Sequence, residues 1–149
     1  MATVFDVAKY IIRKMGEITA MKLQKLCYYT QVWTLAWDGV PLFSEDFQAW
    51  ADGPVCVELF ARHKGRFLLR EDDLDVYLPD TLTPEQLTNI DIVLKDYGDY
   101  QPFELSDMTH QERPWREARG STPIGERCEN IISKENMRDY YAGLLARDV

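Results

Sequence analysis

The sequence predicts a mainly α fold, a single compact helical domain of 149 residues with a minor short β-strand pair or hairpin. Three observations predict it. Apolar residues recur at three- and four-residue steps over most of the chain. Threonine or serine stands ahead of several of these runs and glycine behind them, as helix starts and stops require. Extended texture is confined to short stretches, chiefly Phe47 to Trp50 and Ile131-Ile132, which are candidates to pair with each other.

Thr3 caps the first helix, with Asp6 in the capping-box position. Val4, Val7, Ala8, Ile11, Ile12 and Met15 follow at helical spacing, and Gly16 ends the run. Thr19 caps a second helix over residues 20–37. There Leu23, Leu26, Cys27, Thr30, Trp33 and Trp37 form one stripe, while Met21, Tyr28, Val32 and Leu35 lie elsewhere around the cylinder. A helix apolar on most sides is a buried, central one. Asp38-Gly39 turns the chain and Pro41 stops any continuation. Residues 54–64 read as a third helix, with Pro54 in its first turn, where the missing N–H is no loss, and Gly65 behind it. Residues 66–79 hold a brief apolar run, Phe67-Leu68-Leu69, and read as a loop with room for a short strand. Thr83-Pro84-Glu85-Gln86 opens a further helix through Leu87, Ile90, Val93, Leu94 and Tyr97, closed by Gly98. A short helix is expected over residues 104–109. A helical turn restarts at Pro114, a loop spans residues 120–125, and Ser133 caps a final helix through Met137, Tyr141 and Leu145.

The chain carries 4 Trp, 8 Tyr and 6 Phe, so rings dominate either its core or a binding face. Its net charge of −8 argues against a nucleic-acid binder, which needs a basic face, and favours encounter with a basic partner. Cys27, Cys56 and Cys128 are far apart and odd in number, as expected of reduced thiols, and no histidine stands at ligand spacing from them, so neither metal nor cofactor is expected. The start is too charged for a signal peptide and no apolar run is long enough for a membrane span, which places the chain in the cytoplasm.

Catalytic signatures are sparse. His63, between Arg62 and Lys64, reads as a helix-end charge that favours the dipole. His110 reads as a buried or half-buried side chain tying a loop to the helices by hydrogen bonds; the alternative is a general base with Asp107 or Glu112. The acidic run over residues 71–75 fails the EF-hand pattern, because Tyr77 and Thr83 stand where Gly and Glu are required. Phosphate loops, nucleophile elbows and HExxH helices are absent from the sequence. What remains is a polar-aromatic helix on which Lys22, Lys25 and Tyr29 share one face and Gln24, Tyr28 and Gln31 another, a composition compatible with an interface or with ordinary helix faces.

The stretch Asp6-Val7-Ala8, Tyr10-Ile11, then Lys22-Leu23-Gln24-Lys25-Leu26, Tyr28-Tyr29, Gln31 and Trp33 resembles the Panacea domain, a family also known as phage-associated GepA-like proteins. The likeness continues through Gly39 to Phe43, Phe47-Gln48-Ala49-Trp50, Gly53-Pro54-Val55, Leu105-Ser106, Thr109-His110, Pro114-Trp115 and Tyr140-Tyr141. The resemblance implies a mainly α antitoxin of a toxin–antitoxin pair, often encoded in prophages. It implies direct protein binding to a cognate protein toxin, or delivery of that toxin to a protease. It implies a binding protein rather than an enzyme, and Lys22, Gln24, Lys25, Tyr28, Gln31, Trp50, Thr109, His110 and Trp115 as its partner-binding positions. Some members carry a DNA-binding region beside the domain; the blocks here run from residue 6 to residue 141, so none is expected. A homo-oligomer and a hetero-complex with the toxin both remain open.

Overall fold

The computed structural model describes residues 2–74 and 81–147, so Asp75 of the acidic run and the end of the expected loop over residues 66–79 lie outside the described residues. Seven α-helices are present among them: α1 Val4–Met15, α2 Ala20–Asp38, α3 Val57–His63, α4 Pro84–Tyr97, α5 Pro102–Gln111, α6 Arg113–Arg119 and α7 Lys134–Arg147. Five short strands accompany them: β1 Ile18–Thr19, β2 Phe47–Trp50, β3 Gly53–Cys56, β4 Leu68–Leu69 and β5 Ile131–Ile132. All pairings are antiparallel, in one sheet of order β1-β4 and another of order β3-β2-β5.

Local chemistry sets the helix starts. Thr3 Oγ1 accepts from the Asp6 N–H at 3.4 Å while Asp6 Oδ2 accepts from the Thr3 N–H at 2.8 Å. The same reciprocal box joins Thr83 and Gln86, at 3.1 and 2.9 Å. Ser133 Oγ accepts from the Asn136 N–H at 3.0 Å at the head of α7. Such caps satisfy amides that have no partner within the helix.

α2 is the hub, packed against α7, α4, β3, α1 and α5. Its buried residues run nearly all round, from Leu23, Leu26 and Cys27 to Tyr28, Tyr29, Val32 and Leu35, and take in Gln24, Lys25, Thr30, Gln31 and Thr34. Polar groups in such a place must find partners. Gln31 finds them in the loop after α2: its Nε2 donates to Phe43 O at 2.7 Å and its Oε1 accepts from the Leu42 N–H at 2.8 Å. The aromatic residues interlock around the same helix, with Tyr29 stacked on Tyr97 at 4.2 Å and Trp33 edge-on to Tyr141 at 5.3 Å.

β5 pairs with β2, joining Ile132 to Phe47 and Ile131 to Gln48, as the sequence suggests. Two expectations need correction, and a third is filled in. Residues 54–56 are strand, and the third helix begins only at Val57. Pro54 suits the strand because Gly53 and Val55 face β2, so the position lacking an N–H falls on the outer side of β3. The short strand at Leu68–Leu69 has β1 as its partner, a pairing with no local signal. The helix expected over residues 104–109 is longer, Pro102–Gln111, because Gln101 and Glu104 form a capping box one turn earlier.

Candidate functional site

Gln24, Lys25, Trp50, Thr109, His110 and Trp115 gather around the β2–β3 hairpin, while Lys22 reaches Gly98 and Gln31 the loop after α2. Gln24 Nε2 donates to Cys56 O at 3.1 Å and Gln24 Oε1 accepts from the Cys56 N–H at 2.9 Å. One residue on, Lys25 Nζ donates to Pro54 O at 3.1 Å. From the opposite side Trp115 Nε1 donates to Trp50 O and Arg119 donates to Ala49 O, both at 2.9 Å. The hairpin is thus held by side chains from α2 and from α6. Gly53 sits close against both partners: a Cβ there would lie 2.7 Å from Lys25 Cε and 2.9 Å from Thr109 Oγ1, and its φ of +119° favours glycine in any case.

Lys25 is only 2% exposed. Burial lowers its ammonium pKa to about 8, against the opposing pull of Asp52. Arg119, also buried, has its charge solvated by carbonyls: besides Ala49 O it donates to Pro123 O at 2.8 Å and Glu126 O at 2.6 Å, and it lies over the Trp115 ring at 4.9 Å. Spacing puts Arg119 on a helical turn with Trp115 but not among the site residues; only the fold brings residues 49, 119, 123 and 126 together.

The other named positions fall as follows. Tyr28 is fully buried, edge-on to Tyr29 and Phe47. Thr109 is buried and donates to Ser106 O at 2.7 Å. Trp115 is buried with His110 stacked on it at 4.1 Å and 17°. His110 is half-buried, its Nε2 lacks a hydrogen-bond partner, and burial lowers its pKa. Lys22 is half-buried and donates to Gly98 O at 2.5 Å. Trp50 is half-buried, edge-on to Phe60 at 4.9 Å.

His63 departs from expectation. It is buried rather than a charged helix end, with Nε2 3.0 Å from Gln24 Nε2, and burial lowers its pKa. A neutral ring accepting from the Gln24 amide fits this contact, and the amide in turn reaches Cys56.

A cavity of about 670 Å³ opens beside the hairpin, lined by Gln24, Lys25, Trp50, Phe60, His63 and Arg127 among others. His110 is not in its lining, so the histidine considered as a general base does not face this cavity. Glu112, the other half of that idea, is engaged elsewhere: its Oε1 accepts from Tyr29 OH at 2.7 Å and Tyr141 OH at 2.8 Å. Among the described residues no group of His, Cys, Asp or Glu is placed to hold a metal, and Cys27, Cys56 and Cys128 are buried free thiols. No helix among them is long and apolar enough to cross a membrane.

A second cavity, of about 400 Å³, lies between α2, α4 and α5. Trp33, Trp37, Tyr97, Tyr100 and Met108 line it, with Asp96 among them. Trp33 and Trp37 stack at 5.8 Å, and Trp33 Nε1 donates to Tyr97 OH at 2.9 Å.

No curated protein and no solved structure is significantly similar to the chain. The family model described as antitoxin SocA-like, Panacea domain, matches residues 23–116, from the second turn of α2 through the hairpin to Arg116 in α6. The match takes in the hairpin and most of its central helix, and the chain belongs to the SocA-like antitoxin, Panacea domain family.

Proposed function

We propose that this protein is the antitoxin of a toxin–antitoxin pair, acting in the cytoplasm by direct binding to a cognate protein toxin, with no bond made or broken. Family membership carries the reading. The aromatic cavity between α2, α4 and α5 supports it. Trp37 and Tyr100 are exposed there, beside the stacked pairs Tyr29–Tyr97 and Trp33–Trp37. Tryptophan and tyrosine in a partly formed cavity are what protein interfaces use as anchors. The lining carboxylate of Asp96 and the net charge of −8 suit a basic toxin, which they would draw in and orient.

In this reading the named motif residues divide by exposure. Gln24, Lys25, Tyr28, Gln31, Thr109 and Trp115 are buried and serve binding by fixing the hairpin and the rings. Lys22, Trp50 and His110 keep part of their surface open to a partner.

Co-expression with the product of the adjacent gene tests the proposal. Growth arrest by that product alone, relieved by this chain and accompanied by a complex that co-purifies, is the expected result. A neighbour that is harmless alone, or that stays toxic beside this chain, overturns it. Relief that disappears in a host lacking its cytoplasmic proteases would replace blocking with delivery for degradation.

A further inference from the structure

The larger cavity has a charge opposite to that of the molecule. Its lining contains the cations Lys25, Lys64, Arg66 and Arg127 against one carboxylate, Asp52, in a chain whose net charge is −8. Lys25 is buried at the floor with its ammonium fixed on Pro54 O, so part of the positive potential is built in and does not depend on mobile surface chains. Lys64, Arg66 and Arg127 are exposed. Each arginine meets a carboxylate, Arg66 with Asp73 and Arg127 with Glu129, and each guanidinium has further N–H groups to give. A cleft lined by one sign of charge concentrates ions of the other sign.

The walls are aromatic. Trp50 and Phe60 both line the cavity, edge-on to each other at 4.9 Å, and Phe60 is edge-on to His63 at 5.4 Å. The volume of about 670 Å³ lies within the range of small-ligand sites. An inorganic anion would leave the rings wet, and an uncharged ring would leave the spare N–H groups of the cations without an acceptor. A ligand with both parts satisfies both.

Charge also decides the size of the occupant. An acidic protein or a nucleic acid would have to approach over many ångströms of a surface that is net negative. A small molecule within the cavity is screened from most of that surface, since the Debye length at physiological salt is about 8 Å.

We propose that this cavity binds a small anionic ligand bearing a flat ring, of the nucleoside phosphate class, with the ring against Trp50 and Phe60 and the phosphates toward Lys64, Arg66 and Arg127. The proposal stands apart from the antitoxin reading, and its assay requires no toxin. The full chain is titrated calorimetrically with AMP, ADP, ATP, adenosine, inorganic phosphate and an acidic tetrapeptide containing tryptophan. ADP or ATP is expected to bind at least about tenfold more tightly than adenosine, phosphate or the peptide. The double variant Lys64→Glu, Arg127→Glu changes exposed side chains only. It is expected to weaken nucleotide binding at least about tenfold, with the melting temperature of the free protein kept. Trp50→Leu is expected to weaken nucleotide binding while leaving any phosphate binding in place. Absence of heat with every nucleotide at millimolar concentration, phosphate binding as tightly as ATP, tighter binding of the peptide, or nucleotide affinity unmoved in the double variant would each overturn the proposal.

Discussion

Gln24 holds Cys56 by both of its backbone groups, donating to the carbonyl at 3.1 Å and accepting from the N–H at 2.9 Å. Gln24→Leu keeps the bulk and strips both bonds, leaving a buried donor and a buried acceptor without partners. The expected loss is about 2–5 kcal/mol, from the usual cost of an unsatisfied buried group. Gln24→Glu retains the acceptor but cannot donate to Cys56 O or His63, so it should also destabilise. Urea unfolding midpoints read both; a loss under about 1 kcal/mol for the leucine variant would mean that the grip is not energetically important.

Gly53→Ala places a Cβ against Lys25 Cε and Thr109 Oγ1 at a φ that L-residues avoid. A cost of at least about 2 kcal/mol is expected, corresponding to a fall of roughly 5 °C in melting temperature for a chain of this size. An unchanged melting curve would show that the hairpin shifts freely away from α2.

The Glu112 carboxyl has its pKa raised by burial, with the hydroxyls of Tyr29 and Tyr141 pulling the other way. A raised folded-state carboxyl pKa gives stability that is present below the unfolded value and lost as pH rises through the folded value. Glu112→Gln keeps an acceptor for both hydroxyls and removes the charge. Its advantage over the parent should therefore grow as pH rises from the acidic range to neutrality. Glu112→Ala leaves two tyrosine hydroxyls unpartnered and should cost about 2 kcal/mol or more. Parallel denaturation series across pH decide; an advantage that shrinks with rising pH contradicts the assignment.

Lys25 titrates near 8 in the folded protein and near 10.5 when unfolded. Between these values the unfolded chain binds more protons, so the lysine's contribution to stability rises with pH across that window. Lys25→Met removes it. The stability of the parent relative to Lys25→Met should improve from about pH 8 to about pH 10.5, the tyrosines common to both cancelling. A flat difference in paired urea titrations would show that the ammonium is not buried in solution.

Trp37→Ala and Tyr100→Ala trim exposed rings of the aromatic cavity. Each is expected to weaken toxin binding by about 1–2 kcal/mol or more, a 5- to 30-fold loss, with little change in the melting curve. Full binding by both variants, measured by calorimetry, would move the contact face elsewhere on the molecule.

The helices were legible because their starts are local: Thr3, Thr19, Thr83 and Ser133 cap through residues only three positions away. The pairing of Ile131-Ile132 with β2 was legible too, because few other apolar extended segments competed for it. Pro54 misled because proline suits the first turn of a helix and the unpaired side of a strand equally well. His63 misled because position along a helix says nothing of what lies across it; Gln24, the group it faces, is 39 residues away. The cation-rimmed cavity left no trace in the sequence, since Lys25, Lys64, Arg66 and Arg127 are scattered through an acidic chain and meet only after folding. The motif on α2 was visible as a pattern, yet its spacing could not tell buried clamps from surface contacts.

The way α2 occupies the outer side of β3 has a consequence for self-association. An open strand rim is a template on which further chains can stack into aggregates. Here Gln24 stands in for a neighbouring strand by satisfying Cys56, Lys25 takes Pro54 O, and the proline has no N–H to offer. That rim is closed to strand addition by any other polypeptide, a copy of itself included, and variants that loosen the Gln24 grip should reveal this as insolubility before they reveal it as loss of helix.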